Sequence, residues 1–322
     1  MKHYAVLIGL FTLLIGCTEP QDIGELTTPK SHMGFDSKTI ELNGLTFHYV
    51  EKGSGDLILF LHGFPYFSES WFKLLDVFGE HYHAVAPDNR GYGYTDKPDD
   101  VSDYKIEKLV SDVEQLMTQL SPDKKVILVG HDWGASLAWA VGQLYPERVE
   151  KLIIINGVPS NAFLKVLQES KQQRERSKYV ESLNGWMAKM MFAVRGPELI
   201  WKGVARLHEN GHVNDQFKQA FLTAWQQPDA AQSAVNWYAA NFPPFDQIQQ
   251  ADYWPSESAR ITVPSLLIWS KEDPAFTSDA FNAIPLYVDD LTVKVIDTQS
   301  HVPFIDHSQS VINFMQDFIR GN

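Results

Sequence analysis

The sequence predicts an α/β fold with a mostly parallel central sheet, helices on both faces of the sheet and an inserted helical domain. Short continuous apolar runs alternate with segments of helical periodicity, which is typical of strands buried on both faces. This alternation stops after Gly157 and resumes near residue 260. A chain of 322 residues is long enough for about two domains. We therefore expect one sheet interrupted by one insertion.

The amino terminus has the pattern of a secretory signal that ends in a lipidation site. Lys2 precedes the apolar run 5–15, which is shorter than the roughly 20 residues needed to span a bilayer. The run ends at Gly16-Cys17 and resembles a bacterial lipoprotein signal, whose cysteine is lipidated and becomes the mature amino terminus. An ordinary cleaved signal with a chance cysteine is the alternative. Cys17 is the only cysteine, so a lipidated chain has no free thiol with which to form a disulfide.

We therefore expect a signal peptide over 1–16 and a tether over 17–37, because residues 18–37 lack apolar periodicity. The expected location is the bacterial cell envelope, as a periplasmic or outer-membrane lipoprotein with a soluble core. The lipid anchor would be its only contact with a membrane.

The overall charge restricts the partners of the chain. The formal net charge is −13, which argues against binding to nucleic acid or to anionic lipid. Composition is that of an ordinary globular protein, without repeats or low-complexity segments. The expected partner is a small molecule, and the sequence does not indicate an oligomeric state.

The first part of the core is expected over 38–158. Residues 38–55 contain two β-rich runs joined at Asn43-Gly44, which is a hairpin signal. The segments that follow are a strand in DLILFLHGFP, a strand leading into a glycine-rich loop in HYHAVAPDNRGYGYTDKP, a helix in YKIEKLVSDVEQLMTQL, a strand in KKVILVG, a helix in ASLAWAVGQLY and a strand in VEKLIIING. Their alternation predicts parallel strands joined by helices.

Residues 159–255 are expected to form a helical cap, since they contain no buried-strand run. The second part of the core, 256–322, contains strands in ITVPSLLIWS and LTVKVID and a terminal amphipathic helix. An insertion between two parallel strands should cover their carboxyl ends, where open α/β sheets bind ligands.

The segment GHDWG, 130–134, lies between a predicted strand and a predicted helix. Glycines on both sides let the chain turn sharply and expose the central side chain, as at a nucleophile elbow. Asp132 occupies the nucleophile position there. A simpler interpretation is that Asp132 caps the following helix.

Two other regions supply the partners that a nucleophile needs. HGFP follows a buried strand, and the backbone N–H groups of Phe64 and Trp133 are the candidate oxyanion-hole donors. Asp273 and His301 lie in loops after the last two predicted strands, in the chain order of a nucleophile, acid and histidine triad. Glu272 and Asp306 are the alternatives for the acid.

Five motifs, HGFP, PDNRGYGYTDKP, GHDWG, IWSKEDPAF and SHVPFID, resemble those of the α/β-hydrolase-fold epoxide hydrolases and the related haloalkane dehalogenases. The resemblance runs from about residue 38 to the end of the chain. A carboxylate is already ionised near neutral pH and can displace a leaving group at saturated carbon, which forms an ester. His301, oriented by Asp273, would then activate water against that ester. The resemblance therefore implies a substrate whose carbon bears a strained oxygen or a halogen.

The resemblance also implies two cap tyrosines that protonate an epoxide oxygen. AVNWYAANF nominates Tyr238, and RERSKYVESL nominates Tyr179, although Ala239 stands where the family commonly has arginine. Phe64 stands where dehalogenases usually have asparagine, and Trp133 and Ser136 stand where fluoroacetate-type enzymes have arginines. The predicted reaction is conversion of a small apolar epoxide and water to a vicinal diol, and a haloalkane or haloacid dehalogenase is the alternative.

No cofactor and no metal is expected. The segment HENGH, 208–212, matches the pattern of zinc proteases, which need both histidines on one face of a continuous helix. Asn210-Gly211 instead predicts a turn.

Overall fold

The computed structural model describes residues 31–183 and 186–321, and only the backbone of residues 186–194. The strands of this part of the chain are β1 (Asp36–Leu42), β2 (Leu45–Lys52), β3 (Leu57–Leu61), β4 (His83–Pro87), β5 (Val126–His131), β6 (Val149–Ile155), β7 (Ser265–Ser270) and β8 (Leu291–Ile296). The helices are α1 (Phe72–Phe78), α2 (Ile106–Leu120), α3 (Trp133–Leu144), α4 (Ser160–Glu169), α5 (Lys171–Leu183), α6 (Trp186–Glu209), α7 (Asp215–Trp225), α8 (Ala230–Asn241), α9 (Ser278–Ala283), α10 (Pro303–Asp306) and α11 (Ser308–Arg320).

The eight strands form one sheet in the order β1-β2-β4-β3-β5-β6-β7-β8. β2 is antiparallel to β1 and β4, and the pairs from β4-β3 to β7-β8 are parallel. β3, β5 and β7 are buried along their whole length, as their continuous apolar character predicts. The predicted α/β fold with a mostly parallel sheet is confirmed.

The amino-terminal hairpin turns at the predicted position. Asn43 and Gly44 have φ of 53° and 78°, and Leu42 pairs with Leu45. Positive φ at both central residues is the geometry that favours Asn-Gly in two-residue hairpins. β1 begins at Asp36, so regular structure starts inside the segment that the sequence assigns to the tether.

A buried polar network joins β1 and β2 to β4. Ser37 Oγ lies 2.8 Å from His48 Nε2, and His48 Nδ1 lies 2.7 Å from Asp88 Oδ2. Asp88 also accepts the Ser68 N–H at 2.8 Å and the Tyr94 N–H at 3.0 Å. We interpret this series as a structural connection, since it satisfies a buried carboxylate and links neighbouring strands.

Helices α4 to α8 form an insertion between β6 and β7, which we call the helical insertion. Hydrogen bonds fix it to the loops at the carboxyl ends of the strands. The Trp237 indole N–H donates to the Arg90 carbonyl at 2.9 Å, and the Trp225 indole N–H donates to the Pro65 carbonyl at 2.9 Å. The insertion therefore lies over the end of the sheet where the predicted site residues are.

Residues 31–35 form a segment that contacts both parts of the molecule, and we call it the amino-terminal strap. The Met33 N–H donates to the buried Glu69 carboxylate at 2.7 Å on the sheet side. The Gln216 side-chain amide in α7 donates to the His32 carbonyl on the insertion side. Residues 1–30, including Cys17, lie outside the described residues. None of the described helices has both the length and the apolar character needed to cross a membrane.

Candidate active site

Asp132 lies in the sharp turn between β5 and α3, with φ of 53° and ψ of −118°. A non-glycine residue at positive φ is strained, and such strain persists where the surroundings fix the conformation. The glycines around it allow close packing: a Cβ on Gly134 would lie 2.0 Å from the Leu61 carbonyl oxygen. The Asp132 side chain makes no capping hydrogen bond to α3, so the helix-cap interpretation is wrong.

The Asp132 carboxylate is held by N–H groups on one side and a histidine on the other. Its Oδ1 accepts the Phe64 N–H at 2.9 Å, and its Oδ2 lies 3.6 Å from His301 Nε2. Burial acts to raise the pKa of this carboxyl, but His301 and the Trp133 backbone N–H outweigh burial and hold the pKa below its ordinary value. Asp132 is therefore an anion at neutral pH.

His301 lies between two carboxylates. Its Nδ1 is 2.7 Å from Asp273 Oδ2, and Asp273 Oδ1 accepts the N–H groups of Ala275 at 2.7 Å and Phe276 at 3.1 Å. Burial acts to lower the pKa of His301, but Asp273 and Asp132 outweigh it and raise the pKa to about 10. The structure thus places the imidazolium of His301 between the carboxyl groups of Asp132 and Asp273 at neutral pH.

The two alternative acids are bonded elsewhere. Glu272 Oε2 accepts the Gln299 side-chain N–H at 2.7 Å, and Asp306 Oδ1 pairs with His307 at 2.7 Å. The structure therefore brings Asp132, His301 and Asp273 together, whereas Glu272 and Asp306 pair with other side chains.

The raised pKa of His301 predicts a loss of stability at alkaline pH. The unfolded-state pKa is near 6.5 and the folded-state pKa is about 10. A raised pKa adds stability that is fully present below the unfolded value and is lost as the pH rises through the folded value. We expect the free energy of unfolding to fall between about pH 6.5 and about pH 10. Urea unfolding at several pH values in this range measures the free energy of unfolding. An equal fall in that free energy in a His301→Gln variant would contradict the assignment of the pH dependence to His301.

Two buried groups that the sequence did not single out contact the backbone of His301. The His301 carbonyl accepts the His131 Nε2–H at 2.9 Å and the Asn156 side-chain N–H at 3.0 Å. Burial, followed by the charge of His301, lowers the pKa of His131 to about 3, so His131 is neutral. The only sequence signal for Asn156 is a polar residue directly after the apolar run of β6.

A cavity of about 400 Å³ opens above Asp132, between the sheet and the helical insertion. Tyr238 and Tyr179 both line it, with ring centroids 6.3 Å apart. Tyr238 is buried at 3% exposure, whereas Tyr179 is 45% exposed and so lies at the less enclosed side of the cavity. The hydroxyl end of each ring is buried, which raises the pKa of both phenols, and Tyr179 and Asp132 add to the effect at Tyr238. Both tyrosines are therefore protonated at neutral pH.

The Trp133 ring belongs to an aromatic cluster beside the cavity. Its centroid lies 5.3 Å from Tyr238 and 5.4 Å from both Trp237 and Phe242. Ring packing of this kind fixes the wall of the cavity and the orientation of Tyr238.

The HENGH segment does not form a metal site. α6 ends at Glu209 and Gly211 has φ of 75°, so the two histidines do not share a helix face. Within 31–183 and 186–321 no group of three potential ligands converges on one point.

Comparison with known proteins agrees with this architecture. A family model for the alpha/beta hydrolase fold matches residues 56–308. Human epoxide hydrolase 4 is 32% identical over 258 residues, which cover 77% of this chain and 68% of the relative. Epoxide hydrolase 1 of Caenorhabditis elegans is 32% identical over 289 residues, 89% of this chain and 70% of the relative.

Among solved structures, a Bacillus megaterium epoxide hydrolase in complex with an inhibitor superposes with a TM-score of 0.81 at 31% identity, covering 88% of this chain and all of that one. The chain therefore belongs to the α/β-hydrolase fold family and is a hydrolase of the epoxide hydrolase-like group.

Proposed function

We propose that this enzyme opens an epoxide to a vicinal diol through an ester on Asp132. One observation supports the proposal most: the carboxylate of Asp132 and the hydroxyl-bearing rings of Tyr238 and Tyr179 line the same cavity. An epoxide oxygen becomes an alkoxide as its ring opens and needs a proton donor, whereas a halide leaves as a stable anion. Residues 159–255 would act as the cap that carries these donors.

In the first half-reaction, Asp132 Oδ2 attacks an epoxide carbon and the carbon–oxygen bond of the ring breaks. Oδ1 stays with the Phe64 N–H, at 2.9 Å in the free enzyme. A proton transferred from Tyr238 or Tyr179 neutralises the alkoxide as it forms and leaves a tyrosinate. The imidazolium of His301 then restores the tyrosine proton and becomes neutral.

In the second half-reaction, neutral His301 acts as the base. Esterification removes the charge of Asp132, which is one of the two carboxylates that raise the pKa of His301. His301 then takes a proton from water, and the hydroxide attacks Cγ of the ester. The Phe64 and Trp133 N–H groups stabilise the negative charge on Oδ1. Expulsion of the alkoxide and its protonation by the new carboxylic acid yield the diol, the Asp132 anion and the His301 imidazolium.

In the test, the full chain is purified in detergent and incubated with two panels of substrates that have matched carbon skeletons. One panel contains terminal epoxides and the other contains haloalkanes. Diol release without halide release supports the proposal. Halide release without diol release contradicts it and favours the dehalogenase alternative.

A tyrosine series tests the proton donors. Tyr238→Phe should lower kcat/KM for epoxides by about 100-fold, and Tyr179→Phe should have a smaller effect because that ring is more exposed. Tyr253→Phe is the matched control: Tyr253 lines the same cavity, but its hydroxyl donates to Gln168. Steady-state kinetics give kcat/KM for all three variants. An equal loss of kcat/KM in Tyr238→Phe and Tyr253→Phe would contradict the role of Tyr238 as proton donor.

We also propose that Cys17 carries a lipid anchor and that the enzyme resides in the bacterial cell envelope. The support is the sequence alone: a short apolar run that ends in Gly16-Cys17. Detergent phase partitioning of the parent and of Cys17→Ser, expressed in bacteria, tests it. Equal partitioning of the two proteins into the aqueous phase contradicts the anchor.

A further inference from the structure

Asn156 is a fully buried residue in the turn after β6, and its side-chain amide joins two other loops. Its Oδ1 accepts the Ser270 N–H at 2.8 Å, and its Nδ2 lies 3.0 Å from Ser270 Oγ. The same Nδ2 donates to the carbonyls of Ser300 at 3.2 Å and His301 at 3.0 Å. The amide therefore connects the end of β7 to the loop that carries His301.

The backbone of Asn156 extends this connection to the nucleophile. The Asp132 N–H donates to the Asn156 carbonyl at 3.3 Å. On the far side of Ser270, the Asp273 N–H donates to the Ser270 carbonyl at 3.2 Å. One residue thus contacts, directly or through Ser270, the three segments that carry Asp132, Asp273 and His301.

We propose that Asn156 is the positioning residue for the hydrolytic half-reaction, an inference that rests on the proposed function. The Asn156 side chain donates to the His301 carbonyl at 3.0 Å, so it acts through His301. With His131 it fixes the His301 carbonyl. This sets the 2.7 Å distance from Nδ1 to Asp273 and the 3.6 Å distance from Nε2 to Asp132.

The two half-reactions depend on this amide to different degrees. Attack by Asp132 uses a carboxylate held by backbone N–H groups, and the bond from Asp132 N–H to the Asn156 carbonyl survives any change of the Asn156 side chain. Hydrolysis requires Nε2 of His301 to hold water against the ester. A displacement of about 1 Å in such a group can lower a rate about 100-fold.

Two substitutions test the side-chain amide of Asn156 separately from its backbone hydrogen bonds. Asn156 has φ of 42°, which glycine, asparagine and aspartate adopt more readily than alanine does. Asn156→Asp keeps the acceptor for the Ser270 N–H but replaces the Nδ2 donor to Ser270 Oγ and to the Ser300 and His301 carbonyls with a carboxyl oxygen. Asn156→Gly removes the whole amide without backbone strain, so one variant remains informative if the other folds poorly.

Asn161→Ala is the matched control. Asn161 is also fully buried, and its amide also donates to two backbone carbonyls, Ser256 at 3.0 Å and Ala259 at 3.4 Å. Neither of these carbonyls belongs to a residue of the triad. A loss of stability similar to that of the Asn156 variants is expected, without a change in the balance between the two half-reactions.

The experiment follows one terminal epoxide through rapid-quench mass spectrometry of the full chain, which measures ester formation and ester decay separately. Both Asn156 variants should slow ester decay by about 10- to 100-fold, change ester formation by less than about 3-fold and accumulate the ester on Asp132. Equal slowing of both steps, or an unchanged rate of ester decay in correctly folded variants, overturns the positioning role. A parent enzyme that forms no ester from any epoxide contradicts the proposed function itself.

Discussion

His301→Gln is expected to stop turnover after a single chemical step and to leave the substrate attached to Asp132. At a pH where Asp132 is ionised, its attack on carbon needs no base, and the Phe64 N–H still donates to its Oδ1. The ester then lacks the group that activates water. We expect kcat to fall by about 10²- to 10⁴-fold, the range that positioned general bases supply. Intact-protein mass spectrometry should show one added substrate per chain, and peptide mapping should place it at Asp132.

His307→Gln is the control for this substitution. His307 Nδ1 pairs with Asp306 at 2.7 Å, the same distance as in the pair of His301 and Asp273, whereas His301 also lies 3.6 Å from the Asp132 carboxylate. Its substitution should leave kcat close to that of the parent. Multiple turnovers by His301→Gln without an adduct on Asp132 would contradict the ester mechanism.

Asp132→Asn should abolish both half-reactions. An amide oxygen is a poor nucleophile, so kcat/KM should fall by at least about 10⁴-fold and no adduct should form. Asparagine tolerates positive φ, and the Phe64 N–H can still donate to a side-chain oxygen, so the fold should survive. Circular dichroism and thermal unfolding verify the fold, and mass spectrometry searches for the adduct.

Asp229→Asn is the comparison for this variant. Asp229 also precedes a helix, α8, has φ of 59° and makes no capping hydrogen bond with its side chain. The same substitution there should retain activity. Activity of Asp132→Asn within 10-fold of the parent would mean that another group attacks the substrate.

Much of the fold and the arrangement of the triad could be predicted from the sequence, for a physical reason. Strands of a parallel sheet end at the same edge, so residues that follow separate apolar runs must converge. Asp132, Asp273 and His301 each follow such a run. Residues 104–120 also predict a helix strongly, because their apolar residues recur at regular helical spacing. The structure has α2 over Ile106–Leu120.

The remaining features depend on geometry that residue types do not encode. Asp273 and Glu272 are neighbours in the chain, and only the turn, in which Asp273 accepts two backbone N–H groups, decides between them. The role we propose for Asn156 operates through a carbonyl, which every residue has. The different exposure of Tyr179 and Tyr238 depends on how α5 and α8 lie over the cavity.

The amino-terminal strap has a consequence for the exchange of substrate and product. It adds to the bonds from Trp225 and Trp237 that attach the helical insertion to the rest of the molecule. A hinge rotation of the whole insertion would break these contacts together, each worth about 1 kcal/mol. Diffusion into the cavity should therefore proceed through local movement beside the exposed Tyr179. The width of the passage that this local movement opens would then be a second filter on substrate size, which acts before any chemistry begins.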